Sequence, residues 1–174
     1  MPLTLKGQKI ADYAKKIASE RERGSDVWKK LTSLQCWDGV LICALESGEI
    51  TESTFNALKN IYANSYSTYI SKSDPVVRNR QGMMNVPRGS FLGFIDISDP
   101  RNPLIHAMVA IGEGKAAGNK NDCIGIGSMF GWEILDLAHK LRWLEGENCF
   151  EAKRGFKPDG SPKLRKIQIR YRKP

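Results

Sequence analysis

Phe91-Leu92-Gly93-Phe94-Ile95-Asp96-Ile97, then Asp99-Pro100-Arg101-Asn102-Pro103, then Leu104-Ile105-His106-Ala107-Met108-Val109-Ala110-Ile111 is the stretch on which the fold class turns. Two runs of aromatic, aliphatic and β-branched residues parted by a Pro/Asn/Asp cluster predict two strands joined by a turn. Gly112-Glu113-Gly114-Lys115 predicts another turn, and Cys123 to Gly127 a third strand. Upstream the texture is helical. Residues 5–22 place Ile10, Tyr13, Ala14 and Ile17 on one face of a helix that Gly24 closes. Trp28 to Leu34 reads as a short turn or helix. From Cys36 the run Val40, Leu41, Ile42, Cys43, Ala44, Leu45 is apolar nearly all round and stops at Gly48, the pattern of a core helix. Thr51 reads as the N-cap of a further helix burying Phe55, Leu58, Tyr62 and Tyr69. Residues 71–90, with Asp74-Pro75, Gly82, Pro87 and Gly89, read as loop. Downstream, Ile134, Leu137, Ala138, Leu141 and Leu144 fit a helix over 131–144 better than the strand that Trp132 to Leu137 alone would suggest. Ile167, Ile169 and Tyr171, alternating with Lys166, Gln168, Arg170 and Arg172, predict a half-buried strand with a basic outer face. Helices first and strands later predict one α+β domain over residues 1–174, an antiparallel sheet packed on N-terminal helices.

The bulk properties narrow the function. A chain of 174 residues, 41% hydrophobic and 26% charged, is large enough for a core without covalent staples. No run of roughly 18 apolar residues argues for a membrane span. The start, Met1-Pro2-Leu3-Thr4-Leu5-Lys6, lacks the features of a secretory signal, so synthesis in the cytoplasm is expected, with export by a specialised secretion system left open. Four cysteines (Cys36, Cys43, Cys123, Cys149) form no C-x-x-C pair and are expected as free thiols. The histidines and scattered cysteines make no zinc-ligand spacing. The glycines at 112, 114, 125 and 127 belong to no phosphate-loop motif and read as turns, so no cofactor is expected. The formal charge of +8 is uneven: residues 151–174 hold nine Lys/Arg against Glu151 and Asp159, a local +7. Such a patch is either solvated surface or a face for an anionic partner.

The chemistry gathers at two positions seventy residues apart, Cys36 and His106. A thiol attacks only as thiolate, and its ordinary pKa of about 8.5 leaves it mostly protonated at neutral pH. A helix N-terminus lowers that pKa and offers N–H groups to a developing oxyanion; an imidazole beside it accepts the proton. A third polar residue must fix the imidazole tautomer. Asp122 is the first candidate for that role, with Asn121 and Asn119 as alternatives, and Gln35 is a candidate oxyanion donor. Cys43, Cys123 and Cys149 read as buried small hydrophobes and His139 as surface.

Gln35-Cys36-Trp37 resembles the nucleophile region of the papain-like cysteine hydrolase superfamily, including the Gln-Cys-Trp of transglutaminases. His106 to Gly114 resembles its histidine strand, where a His-Ala-Val start runs to a Gly-x-Gly turn, and Lys120-Asn121-Asp122 sits where that family has its Asn or Asp. The chain order Cys, His, Asn/Asp agrees. One departure stands out: the family's oxyanion glutamine lies several residues before the cysteine, whereas Gln35 adjoins it. The resemblance implies a papain-like fold and a cysteine-dependent amide hydrolase working through an acyl-enzyme. The short Cys-to-His spacing is similar to that of compact bacterial members, namely effectors and toxins that cleave or deamidate proteins, and peptidoglycan amidases. It implies a protein or peptidoglycan substrate and an immunity or chaperone partner. The rival expectation is a non-enzymatic module that binds through its basic C-terminal strand.

Overall fold

The computed structural model describes residues 5–59, 70 and 73–174. Helices α1 (Leu5–Ile17), α2 (Asp26–Ser33), α3 (Cys36–Glu46), α4 (Glu52–Leu58) and α5 (Asn79–Met84) precede strands β1 (Phe91–Asp96), β2 (Leu104–Gly112) and β3 (Lys115–Gly118). A 3-10 turn (Asn121–Ile124), β4 (Glu133–Asp136), the short helix α6 (Leu137–Lys140), β5 (Arg142–Leu144), β6 (Cys149–Phe156) and β7 (Pro162–Arg172) follow. The seven strands form one antiparallel sheet in the order β4-β3-β2-β1-β7-β6-β5. The predicted mixture of N-terminal helices and antiparallel sheet is therefore present.

Local chemistry explains the helix ends. Ser25 and Thr51 cap α2 and α4, each hydroxyl accepting from the backbone N–H three residues on. Every residue of α3 from Cys36 to Ala44 is buried, which is why the helix has no polar face. It packs with α1 against β2, where Ala107, Val109 and Ile111 point toward the helices. The opposite face of β2, with Met108 and Ala110, joins a second core containing Phe94, Ile167 and Ile169. That core also takes Leu135 from β4 and Phe150 from β6, so strands from both ends of the sheet meet over it and the sheet curls.

Four local expectations give way. The first helix ends at Ile17 rather than residue 22, and residues 18–24 form turns. Cys123 to Gly127 is not a strand: Lys120, Gly125 and Gly127 all take positive φ, which coils the segment into a 3-10 turn, and the third strand is Lys115–Gly118 instead. Residues 131–144 are not one helix but β4, a single helical turn capped by Asp136, and β5, because the free edge of β3 pairs with Glu133–Asp136. The loop expected over 71–90 contains α5. The proposed buried face of the fourth helix extended to Tyr62 and Tyr69, which lie outside the described residues. Among the described residues, no helix is long and apolar enough to cross a membrane.

Candidate active site

Cys36 is the first residue of α3, with Gln35 as its N-cap, so the thiol sits where a helix dipole favours an anion. It is 8% exposed. Gln35 is exposed and its side chain makes no cap hydrogen bond. The chain just before it is pinned by Asn119, a fully buried residue at the end of β3. Its Nδ2 donates to the carbonyls of Leu31 at 2.6 Å and Leu34 at 2.7 Å, with Thr32 O at 3.4 Å. Asn119 thus ties the entry of the cysteine helix to the sheet.

Trp132 braces the same region. Its indole N–H donates to Ala14 O in α1 at 2.9 Å, and its backbone N–H to Thr32 Oγ1 at 3.1 Å. The ring lies against Gly39, one turn into α3, where a Cβ would fall 2.9 Å from the indole.

His106 stands near the start of β2 and is fully buried. Its ring lies beside Phe94, with centroids 5.4 Å apart. Nε2 is 2.9 Å from Asn121 Oδ1. The Asn121 amide is itself oriented, because Nδ2 donates to Gly118 O at 3.0 Å and to Glu133 Oε1 at 3.1 Å. Oδ1 can only accept, so Nε2 carries the ring proton and Nδ1 holds a lone pair. That Nδ1 is buried with no hydrogen-bond partner among the described residues. Burial drives the imidazole pKa down to about 4, against the opposing bond from Asn121, and the nearby Arg165 charge lowers it further. The ring is neutral at pH 7.

The residue holding His106 is therefore Asn121, not Asp122. Lys120 adopts φ 50°, and the 3-10 turn it opens directs Asn121 inward and leaves Asp122 exposed. Asn119, the other alternative, faces the helix layer and serves the segment before Cys36. Glu133 had no place in the sequence reading.

Cys36 and His106 approach the same end of the molecule. Cys123, in the turn beside Asn121, has its sulfur 3.9 Å from Ile105 O, next to His106. Burial, reinforced by the nearby Cys36 sulfur, raises the Cys123 thiol to about 12. Strand alternation, however, turns the imidazole to the Phe94 face of the sheet, while α3 covers the Ala107 face. No hydrogen bond joins Cys36 to His106 in this conformation.

None of the four cysteines is in a disulfide. The basic segment forms β6 and β7. Arg165 turns inward to Asp96 and the Cys123 carbonyl, and Arg172 pairs with Asp74, so the expected basic outer face is smaller than the sequence count suggests. What projects is the hairpin end, with Phe156 64% and Leu164 51% exposed among Lys153, Arg154, Lys157 and Lys163.

Neither the protein-family models, nor the curated proteins, nor the solved structures contain a match to this chain.

Proposed function

We propose that this protein is a cysteine-dependent amide hydrolase in which Cys36 is the nucleophile, His106 Nδ1 the general base and Asn121 the residue that orients the ring. The observation that carries the reading is the state of His106. A general base needs a ring with one nitrogen held by an oriented partner and the other free to accept a proton. Here one nitrogen is fixed by an oriented amide and the other is left as a lone pair. The order of cysteine helix, histidine strand and Asn-bearing turn supports a papain-like arrangement.

In this scheme Nδ1 takes the thiol proton as the sulfur attacks an amide carbonyl. The N-terminus of α3 stabilises the oxyanion, the imidazolium returns its proton to the leaving amine, and water then releases the acyl group. The imidazole and α3 lie on opposite faces of β2, so the scheme requires the start of β2 to turn the ring toward Cys36 when substrate binds. A glutamine side chain as substrate makes the protein a deamidase; a peptide bond makes it a protease or, in peptidoglycan, an amidase. The setting that fits the resemblance is a bacterial effector or toxin.

The test is the pH dependence of Cys36 alkylation by iodoacetamide in the parent and in His106→Ala, read by peptide mass spectrometry. The proposal expects alkylation to begin below the ordinary thiol pKa of about 8.5 through the N-terminus of α3, and to fall roughly tenfold at neutral pH when the neutral imidazole that takes the thiol proton is removed. Equal, slow alkylation in both proteins overturns it. The exposed Phe156 and Leu164 among Lys153, Arg154, Lys157 and Lys163 favour one second reading, a module that binds an anionic partner through the β6–β7 hairpin; that reading gains if Cys36→Ala leaves function intact while charge reversal of those four residues removes it.

A further inference from the structure

We infer that Glu133 is a positioning residue that selects the tautomer of His106 by holding the side-chain amide of Asn121 in one of its two orientations. The inference rests on the hydrolase reading for its catalytic meaning but not for its physical content.

An asparagine amide is nearly symmetric in shape and can flip, exchanging an acceptor for a donor toward its neighbour. Flipped, Asn121 would present Nδ2 to His106 Nε2. That nitrogen would then have to accept, and the ring proton would move to Nδ1, removing the lone pair the base requires. Two groups oppose the flip, Gly118 O and the Glu133 carboxylate. The carbonyl accepts a single bond at 3.0 Å. The carboxylate is anionic and can only accept, so a flip would set Asn121 Oδ1 against a negative oxygen.

The surroundings are shaped to admit that carboxylate. Glu133 is the register partner of Gly118 across β3 and β4, which puts its side chain on the sheet face of Asn121 and His106. Its Oε1 also accepts from Ser128 N at 2.6 Å, so the acid is anchored independently of Asn121. Gly127 has φ +79°, and a Cβ there would lie 2.6 Å from Glu133 Oε1 and 2.8 Å from Asn121 Cβ. Only glycine leaves room for the two side chains to meet.

The experiment is nitrogen NMR of the imidazoles in protein carrying ¹⁵N-histidine, where only His106 and His139 give signals. In the parent, His106 is expected to show a protonated Nε2 and an unprotonated Nδ1. Glu133→Ala is expected to shift the proton toward Nδ1 and to slow neutral-pH alkylation of Cys36, while Glu133→Gln, which keeps an acceptor oxygen, preserves the parent pattern. The double variant Asn121→Asp, Glu133→Ala supplies a side chain with no donor to misplace, so it is expected to restore the Nε2 proton. This rescue keeps the test decisive if Glu133→Ala alone loosens the 121–128 turn. Retention of the parent tautomer in folded Glu133→Ala, or failure of the double variant to restore it, overturns the inference. If instead the tautomer follows Glu133 while alkylation ignores His106, the hydrolase reading fails and the positioning role stands.

Discussion

Replacing Asn119 by aspartate tests how the cysteine helix is anchored. The change is nearly isosteric, so packing is kept, but it puts an oxygen where Nδ2 donates to Leu31 O at 2.6 Å and Leu34 O at 2.7 Å. Two hydrogen bonds at about 1 kcal/mol each are lost, and the desolvated carbonyls facing a carboxylate oxygen add at least about 1 kcal/mol more. The expected destabilisation at pH 7.5 is about 3 kcal/mol, which for a chain of this length lowers Tm by about 6–12 °C. The defect has a pH signature. A protonated carboxyl can donate one of the missing bonds, so the folded state raises the pKa of the introduced group above its ordinary value of about 3.9. The variant's stability relative to the parent is then greatest below that value and is lost as pH rises through the raised folded pKa. Urea denaturation of parent and variant at pH 7.5 and pH 4.5 measures the difference at each pH, which removes the parent's own pH dependence. A difference under about 1 kcal/mol at pH 7.5, or one that does not shrink on acidification, refutes the reasoning, since both follow from the same two bonds.

The parent should itself weaken in acid. His106 is held neutral with its pKa near 4 against an ordinary 6.5, so the unfolded chain binds a proton first and stability falls as pH drops from about 6.5 toward 4. The full effect approaches about 3 kcal/mol, and His106→Gln should flatten that part of the stability–pH curve; an unchanged slope would mean the ring is not the group responsible. Gly39→Ala should destabilise by about 1–3 kcal/mol despite alanine's better helix propensity. The new Cβ would meet the Trp132 ring at 2.9 Å, and two hydrogen bonds keep that ring from retreating; thermal unfolding at or above the parent Tm would contradict it.

The parts of the fold legible in the sequence are those in which one segment's own pattern decides the outcome. The apolar run Val40 to Leu45 behind Cys36 read as a core helix, and the alternation of Ile167, Ile169 and Tyr171 as a strand, and both are present. Residues 131–144 were not legible, because Ile134, Leu135 and Leu137 satisfy both periods and the pairing of Glu133–Asp136 with β3 decides between them. That error hid Glu133: on a helix it is one more surface acid, and only the register with Gly118 brings it to Asn121. The choice between Asn121 and Asp122 failed for a smaller reason. Neighbouring residues in a turn point to opposite sides, and the left-handed Lys120 that sets which one turns inward is an uncommon conformation for lysine. The side of the sheet that His106 faces was equally out of reach, since it depends on which face of β2 the helices cover.

Strand β7 lies between β1 and β6, near the middle of the sheet, although it is made last of all the strands. During synthesis the hairpins from β1 to β4, which carry His106 and lead to Asn121, can pair early. The far edge of β1 stays open until Pro162–Arg172 emerges. Ile167 and Ile169, both fully buried, then close the second core against Phe94. The late-made segment is therefore the keystone of the sheet rather than a charged appendage. Cooperative folding must wait for contacts between residues more than seventy positions apart, a topology that favours slow closure. A nascent chain stalled before residue 162 would display the bare edge of β1, and would be recognisable by aggregation rather than by partial activity.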